Sequence, residues 1–289
     1  MSDYDLTGKT VLVTGATAGI GLATARALAA SGAEVLILGR DRGRTEAAVA
    51  DVSRGSVSGR AVGFVADLTL MTAVRRVAEE VRSRYSRLDV LINNAGGMFG
   101  ERLLTPDGFE RTWALNHLSC LVLTLELLPL LKAGAPSRIV NVASMVHRSG
   151  SLAPKSHKQI QKFSGLGAYG QAKLAQIMCG YALARRLSGS GVTVNALHPG
   201  VVATGVGREM GPAFDFMQRV LLRPFSTSPD KAARTSLYLA ASPDVAGVTG
   251  AYFEKCKRRQ SSSASYDEST QERLWATSLA QVGLANIQI

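Results

Sequence analysis

Short apolar runs alternate with longer mixed stretches along most of the chain. Runs at 10–15 (TVLVTG), 33–40 (AEVLILGR), 61–66, 88–96 (LDVLINNAG), 138–142 and 193–197 are rich in Val, Leu and Ile and too short for stable helices. They predict buried strands. The stretches at 19–32, 41–54, 72–85, 107–131 and 168–187 predict helices. The one at 72–85 is amphipathic, with Val74, Val77, Ala78 and Val81 inward, and Gly32 closes the first. Apolar strands separated by helices mean crossover connections and a parallel sheet. Connections are short and no linker interrupts them, so residues 1–289 read as one α/β domain. The serine-rich 258–270 (RRQSSSASYDEST) predicts a tail grading from ordered to mobile, and ERLWATSLAQVGL after it a final docking helix.

Composition narrows the class. A chain of 289 residues that is 46% hydrophobic can bury a large core. The net charge of +11 raises nucleic acid as a partner. The bases are mostly scattered singly, as at Arg75, Arg76, Arg82, Arg84 and Arg87, and KCKRR at 255–259 is the one compact cluster. Aromatics are not interleaved with them, so a solvated surface is expected rather than nucleic-acid binding. Cys120, Cys179 and Cys256 are far apart, which argues against a disulfide framework or zinc site and for a reduced, cytoplasmic setting. His117, His147, His157 and His198 lack metal-ligand spacing, and no metal is expected. The polar opening MSDYDLTGKT predicts no signal peptide, and no apolar run approaches the length of a membrane span.

Two stretches carry candidate chemistry. TGATAGIG at 14–21 lies between the first strand and the first helix, where a dinucleotide fingerprint belongs. Gly15 permits the tight turn, and Gly19 and Gly21 allow close approach of backbone to phosphate. The helix N-terminus adds N–H groups and partial positive charge. In GLGAYGQAKLAQ at 165–176, Tyr169 and Lys173 are four apart and share a helical face. A free phenol holds its proton to about pH 10. A nearby ammonium is expected to lower that value and make Tyr169 an acid/base group. Ser144 ends a strand at its C-terminal edge, placed to hydrogen-bond a substrate oxygen.

The spacing is GxxxGxG, and here the chain resembles the short-chain dehydrogenase/reductase family. NNAG at 93–96 matches its second motif and YGQAK at 169–173 its YxxxK, with Asn116, Ser144 and HPG at 198–200 in the family's order. The resemblance covers about 7–283. SRIVNVASMVHRSG, AYGQAKLAQ and GAYFEKCK look most like the retinol-dehydrogenase-like group, whose animal members often carry a membrane anchor that is not seen in this sequence. The resemblance implies a single-domain Rossmann fold: a doubly wound parallel sheet of about seven strands, order 3-2-1-4-5-6-7, with helices on both faces. A core at about 7–253, a small lid at about 205–226 and a tail at about 254–289 would make up the domain. It implies Asn116, Ser144, Tyr169 and Lys173 as catalytic residues, Asn116 keeping a water in the proton relay; a helix kink or cap is the plainer reading of Asn116. The implied cofactor contacts are Gly15, Thr17, Gly19, Ile20, Gly21, Arg40, Asp67, Leu68, Asn94, Ala95, Gly96, Tyr169, Lys173, Pro199, Gly200 and Thr204. Asp67 and Leu68 would flank adenine, Asn94 to Gly96 the adenosine ribose, and His198 the loop along the nicotinamide. His117 is expected to pack on its helix.

Gly39 stands where an acid would favour NAD(H), and Arg40 follows. A guanidinium pairs with a 2′-phosphate and stacks on adenine, so NADP(H) is expected over NAD(H), with Arg44 helping and Asp41 turned away at a helix start. A bare surface charge is the alternative for Arg40. Ser144 and Tyr169 are 25 positions apart, leaving an extended loop over the site. Met210, Phe214, Met217 and Leu221 recur at helical spacing, with Phe225 beyond. They form either core or an adaptable hydrophobic substrate wall. The expected activity is NADP(H)-dependent interconversion of a lipophilic alcohol and its ketone or aldehyde. The rivals are an enzyme of the same fold with redirected isomerase, epimerase or cyclase chemistry, and a non-catalytic nucleotide-binding protein. The family commonly forms homodimers or homotetramers through helices near 107–131 and 168–187, an assembly the extended loop would obstruct.

Overall fold

The computed structural model describes residues 4–56, 60–152, 163–200, 207, 209–211 and 227–289. Most of the 205–226 segment lies outside the described residues, as do Thr204, Phe214, Met217, Leu221 and Phe225.

The strands are β1 (Thr10–Thr14), β2 (Glu34–Gly39), β3 (Ala61–Val65), β4 (Val90–Asn93), β5 (Ser137–Val142), β6 (Val192–His198), β7 (Ala251–Glu254) and β8 (Lys257–Arg259). They form one sheet in the order β3-β2-β1-β4-β5-β6-β7-β8. The first seven are parallel, in the predicted order, and β8 adds an antiparallel edge. This is a doubly wound Rossmann sheet with eight strands where about seven were predicted. The extra strand comes from the basic cluster: Lys255 and Cys256, at φ 51° and 59°, turn the chain, and Lys257, Arg258 and Arg259 return along β7. Charge on a short edge strand discourages further pairing.

Alternation along the buried strands explains the two layers. Leu12, Leu36 and Leu91 face one core, shared with α3 (Met71–Arg84), α5 (Ser119–Glu126), α6 (Leu128–Ala133), α7 (Gly165–Arg186) and α9 (Glu268–Gln281). Val11, Val13, Val35, Ile37 and Ile92 face the other, shared with α1 (Gly19–Ala30), α2 (Arg42–Arg54) and α8 (Pro229–Ala241). Among the described residues, no helix is long and apolar enough to cross a membrane.

Two expectations are corrected. The helix predicted at 107–131 is interrupted: one turn of α4 (Arg111–Trp113) runs into a π-helical segment, Ala114–Leu118, before α5 and α6. Leu127 ends α5, and Pro129 sits in the first turn of α6. The serine-rich tail is ordered. Ser261 and Ser265 are buried, their hydroxyls 2.6 Å apart, and Tyr181 reaches Ser261 at 2.8 Å. The docking helix after it exists as α9.

Candidate functional site

Sheet order reverses between β1 and β4, and the strand ends there leave a crevice where ligands bind in open α/β sheets. The glycine turn forms one wall. Gly15 and Gly19 have φ of 64° and 55°, a region open to glycine at little cost. A Cβ on Gly15 would stand 2.9 Å from Ala95 Cα, and one on Gly21 would collide with the Gly15 carbonyl. Ala18 precedes α1 and offers no side-chain acceptor to the first-turn N–H groups, and no acid stands in that turn. A backbone cradle closed to side chains, at an uncapped helix N-terminus, fits a pyrophosphate. Thr17, Gly19 and Ile20 line this turn, each partly exposed.

Thr14 was assigned no role in the sequence, yet it fixes the second wall. Its hydroxyl accepts from the Asn94 and Ala95 N–H groups at 3.0 and 2.9 Å. Asn94 Nδ2 donates back to the Thr14 carbonyl at 2.8 Å. Asn94 thus staples the NNAG loop to the glycine turn, with Ala95 and Gly96 following.

At the end of β2, a Cβ on Gly39 would collide with Thr45 Oγ1 and lie 2.5 Å from Thr17 Cγ2. No side chain fits there, acidic or otherwise. Arg40 next to it is exposed. Asp41 caps α2, accepting from the Arg44 N–H at 2.8 Å, and so is turned to the helix start as predicted. Beyond β3, Asp67 accepts from the Thr69 N–H and hydroxyl at 2.9 and 2.8 Å, and Leu68 is buried. Pro199 and Gly200 follow β6, with Gly200 at φ 96°.

The polar constellation sits at the ends of β4 and β5. Ser144 follows β5 and caps a short 3-10 turn, Met145–Ser149, its Oγ accepting from the Val146 N–H at 3.3 Å. The hydroxyl also bonds the Tyr169 phenol. α7 begins at Gly165, capped by Ser164, and puts Tyr169 and Lys173 on one buried face. Lys173 Nζ lies 5.8 Å from the Tyr169 ring centroid. It donates to the Val142 carbonyl at 2.8 Å and to Gln176 Oε1 at 3.1 Å.

The phenol departs from the sequence expectation. Burial pushes Tyr169 up to about 12, opposed by its bond to Ser144. The ammonium is directed to two protein oxygens rather than to the phenol, so desolvation prevails. Burial in turn pushes Lys173 down to about 8.

Asn116 lies in the π-helical segment, fully buried. Its Nδ2 donates to the Gly97 and Thr112 carbonyls at 2.8 Å each, and its Oδ1 accepts from the Gly97 N–H at 3.2 Å. Both the kinked helix and a tie to the NNAG loop therefore involve this side chain. His117 points the other way, against Trp113 and Ser278, packed as predicted. His147 bridges two elements: Nε2 accepts from the Ser262 N–H at 3.0 Å, which leaves Nδ1 to donate to the Ser144 carbonyl at 2.6 Å. His198 Nδ1 accepts from the Met145 N–H at 3.3 Å.

Two exposed apolar side chains lie near the constellation in the chain. Met145 and Leu166 are 49% and 48% exposed beside Ser144 and Tyr169. Gly165 packs against Phe99, and a Cβ there would lie 2.8 Å from Met210 Sδ. Glu209 bridges Phe99 and pairs with Arg111 at 2.7 Å.

Comparison with known proteins follows the same lines. The family model described as short chain dehydrogenase matches residues 9–213. Human "Retinol dehydrogenase 13" is 40% identical over 288 residues, covering 98% of this chain and 87% of that protein. A crystal structure of an uncharacterised Mycobacterium paratuberculosis protein is 31% identical, with a TM-score of 0.78 over 97% of this chain and 96% of that one. A Burkholderia cenocepacia short chain dehydrogenase, solved in complex with NADP, is 29% identical with a TM-score of 0.69, covering 86% and 96%.

Proposed function

The chain belongs to the short chain dehydrogenase family, and within it we propose an NADP(H)-dependent oxidoreductase that interconverts a lipophilic alcohol and its ketone or aldehyde. The observation that carries this reading is the half-buried Ser144 together with the buried Tyr169 and Lys173 beside the glycine cradle, at the C-terminal edge of the sheet. The nicotinamide would supply the hydride in reduction and take it in oxidation. Ser144 Oγ holds the substrate oxygen. Tyr169 donates its proton to that oxygen in reduction and takes it back in oxidation. Lys173 holds the nicotinamide ribose, and Asn116 keeps the loop at Gly97 in place beside it.

Gly15, Thr17, Gly19, Ile20 and Gly21 would hold the pyrophosphate. Asp67 and Leu68 would flank adenine, Asn94 to Gly96 its ribose, and Pro199, Gly200 and Thr204 the nicotinamide. Arg40 carries the NADP(H) preference, supported by the closed position at Gly39 and by a related chain solved with NADP. The exposed Met145 and Leu166 and the retinol dehydrogenase relatives support a retinoid-like or similarly lipophilic substrate. Three free, separated thiols support a reducing compartment such as the cytoplasm.

The test is a dinucleotide-consumption screen with lipophilic ketones and aldehydes. NADPH should be oxidised with a lower KM than NADH, and Tyr169→Phe should lose about 10²–10⁴ in kcat. Preference for NADH, turnover confined to sugars, or full activity in Tyr169→Phe would each contradict the reading. Dinucleotide binding without turnover of any carbonyl would favour the nucleotide-binding rival.

A further inference from the structure

Lys173 is held by more than its own helix. An ammonium has three N–H donors. One goes to the Val142 carbonyl and one to Gln176 Oε1. A Cβ on Gly96 would lie 3.3 Å from Nζ, so the remaining side of the ammonium meets the NNAG loop, which faces the crevice. Gln176 is three residues on from Lys173, on the same face of α7, and is 3% exposed.

The orientation of the Gln176 amide is itself fixed. Its Nε2 donates to Cys120 Sγ at 3.5 Å. That thiol donates to Asn141 Oδ1 at 3.4 Å. Asn141 Oδ1 also accepts from Asn93 Nδ2 at 3.0 Å, and the same nitrogen donates to Thr124 at 3.0 Å. The chain of bonds ties β4, β5, α5 and α7 together and leaves the amide oxygen turned to the cation. Among the described residues, the titratable groups facing Lys173 are Tyr169 on its own helix and Cys120 from α5. β5 presents a carbonyl, and the Asn116 segment and the NNAG loop present neutral groups. Among the described residues, the buried charge therefore rests on two neutral oxygens, one of them from a side chain.

We infer that Gln176 is a positioning residue: its amide oxygen aims the Lys173 ammonium at the crevice and helps keep it protonated. The role in turnover rests on the proposed oxidoreductase reading; the contact with Lys173 does not. Gln176→Met keeps the volume and removes the acceptor. Gln176→Glu keeps the shape and adds a counter-charge.

Heteronuclear NMR of lysine Nζ, assigned to Lys173 by the signal missing in Lys173→Met, reads the titration directly. Lys173 should lose its proton at lower pH in Gln176→Met and at higher pH in Gln176→Glu, each by about one unit. In the NADPH assay, Gln176→Met should lose about 10-fold or more in kcat with the carbonyl KM nearly unchanged, the pattern of a lost transition-state interaction. The alkaline limb of its pH profile should move down, and that of Gln176→Glu up. If Gln176→Met does not fold, the upward move in Gln176→Glu still decides. Unmoved titrations, or shifts of the same sign in both variants, overturn the inference. If the parent turns over no carbonyl while the NMR order holds, the functional reading fails and the Gln176–Lys173 contact stands.

Discussion

A phenol held protonated to about pH 12 is set to donate a proton rather than to take one. In the carbonyl reduction proposed above, Tyr169 then needs no prior ionisation, but Lys173 has to be charged. The lysine loses its proton near pH 8. The kcat/KM for reduction should therefore be flat below about pH 7.5 and fall above about pH 8, in a pH-rate profile with NADPH saturating. A profile still rising beyond pH 9 would contradict this assignment. On the proposed reading, cofactor choice is decided at Arg40, two strands away. Arg40→Asp should exchange a charge-assisted bond for repulsion of a 2′-phosphate, raising the NADPH KM about 10- to 100-fold while improving NADH. Gly39→Asp should not produce a clean exchange. Its Cβ would press on Thr45 and Thr17, two β-branched side chains with little rotamer freedom, so it should lower Tm as well. Thermal melts and cofactor KM values for the two variants separate these outcomes. The sequence showed that an acid was missing at position 39, because that is a matter of residue identity. That the position is closed to any side chain depends on α2 and the glycine turn meeting there, which no local pattern records.

At the scale of elements, strands and crossover helices were legible because alternating buried runs and amphipathic stretches carry their own periodicity. The candidate site was legible as spaced motifs, TGATAGIG, NNAG and YGQAK. The π-helical segment was not, because one extra residue in a helix leaves the apolar spacing almost unchanged while it moves Asn116 and His117 onto opposite partners. The ordered tail was hidden for another reason. Serines read as polar linker, yet here Ser261 and Ser265 satisfy one another and Tyr181 inside the fold. His117 gives this region a pH dependence. Burial against α9 pushes its pKa down to about 3, from an unfolded value near 6.5. A depressed histidine favours the fold while neutral, so its contribution is complete above about pH 6.5 and is lost as pH falls toward 3. Urea midpoints should drop across that window, with His117 adding up to about 1.4 kcal/mol per pH unit. His117→Asn should show a shallower decline. Equal slopes in the two proteins would rule this contribution out.

For the whole molecule, the question is whether α9 is part of the cooperative fold or an appendage on α7. Trp275 on α9 is 4% exposed and joins Leu274, Leu279 and Val282 in the core that also holds β1, β4 and α7 residues. The Arg186 guanidinium lies 4.7 Å over its ring. Arg185 and Arg186 both pair with Glu272, and Trp113 Nε1 donates to Gln281 at 3.2 Å. Within the chain, α9 covers part of the helical surface of α7 through which assembly was expected, so any oligomer using that face must accommodate it. Both of the chain's tryptophans, Trp113 and Trp275, sit at the α9 contact, so indole fluorescence reports docking of this one helix. Far-UV circular dichroism reports the sheet and helices together. If α9 belongs to one cooperative unit, the two signals should change at the same urea concentration. Trp275→Ala should then remove about 3–5 kcal/mol, a large share of the roughly 5–15 kcal/mol that holds such a fold, and should lower both midpoints together. A fluorescence change that precedes the dichroism change, with the dichroism midpoint untouched by Trp275→Ala, would make α9 a separately docking segment instead.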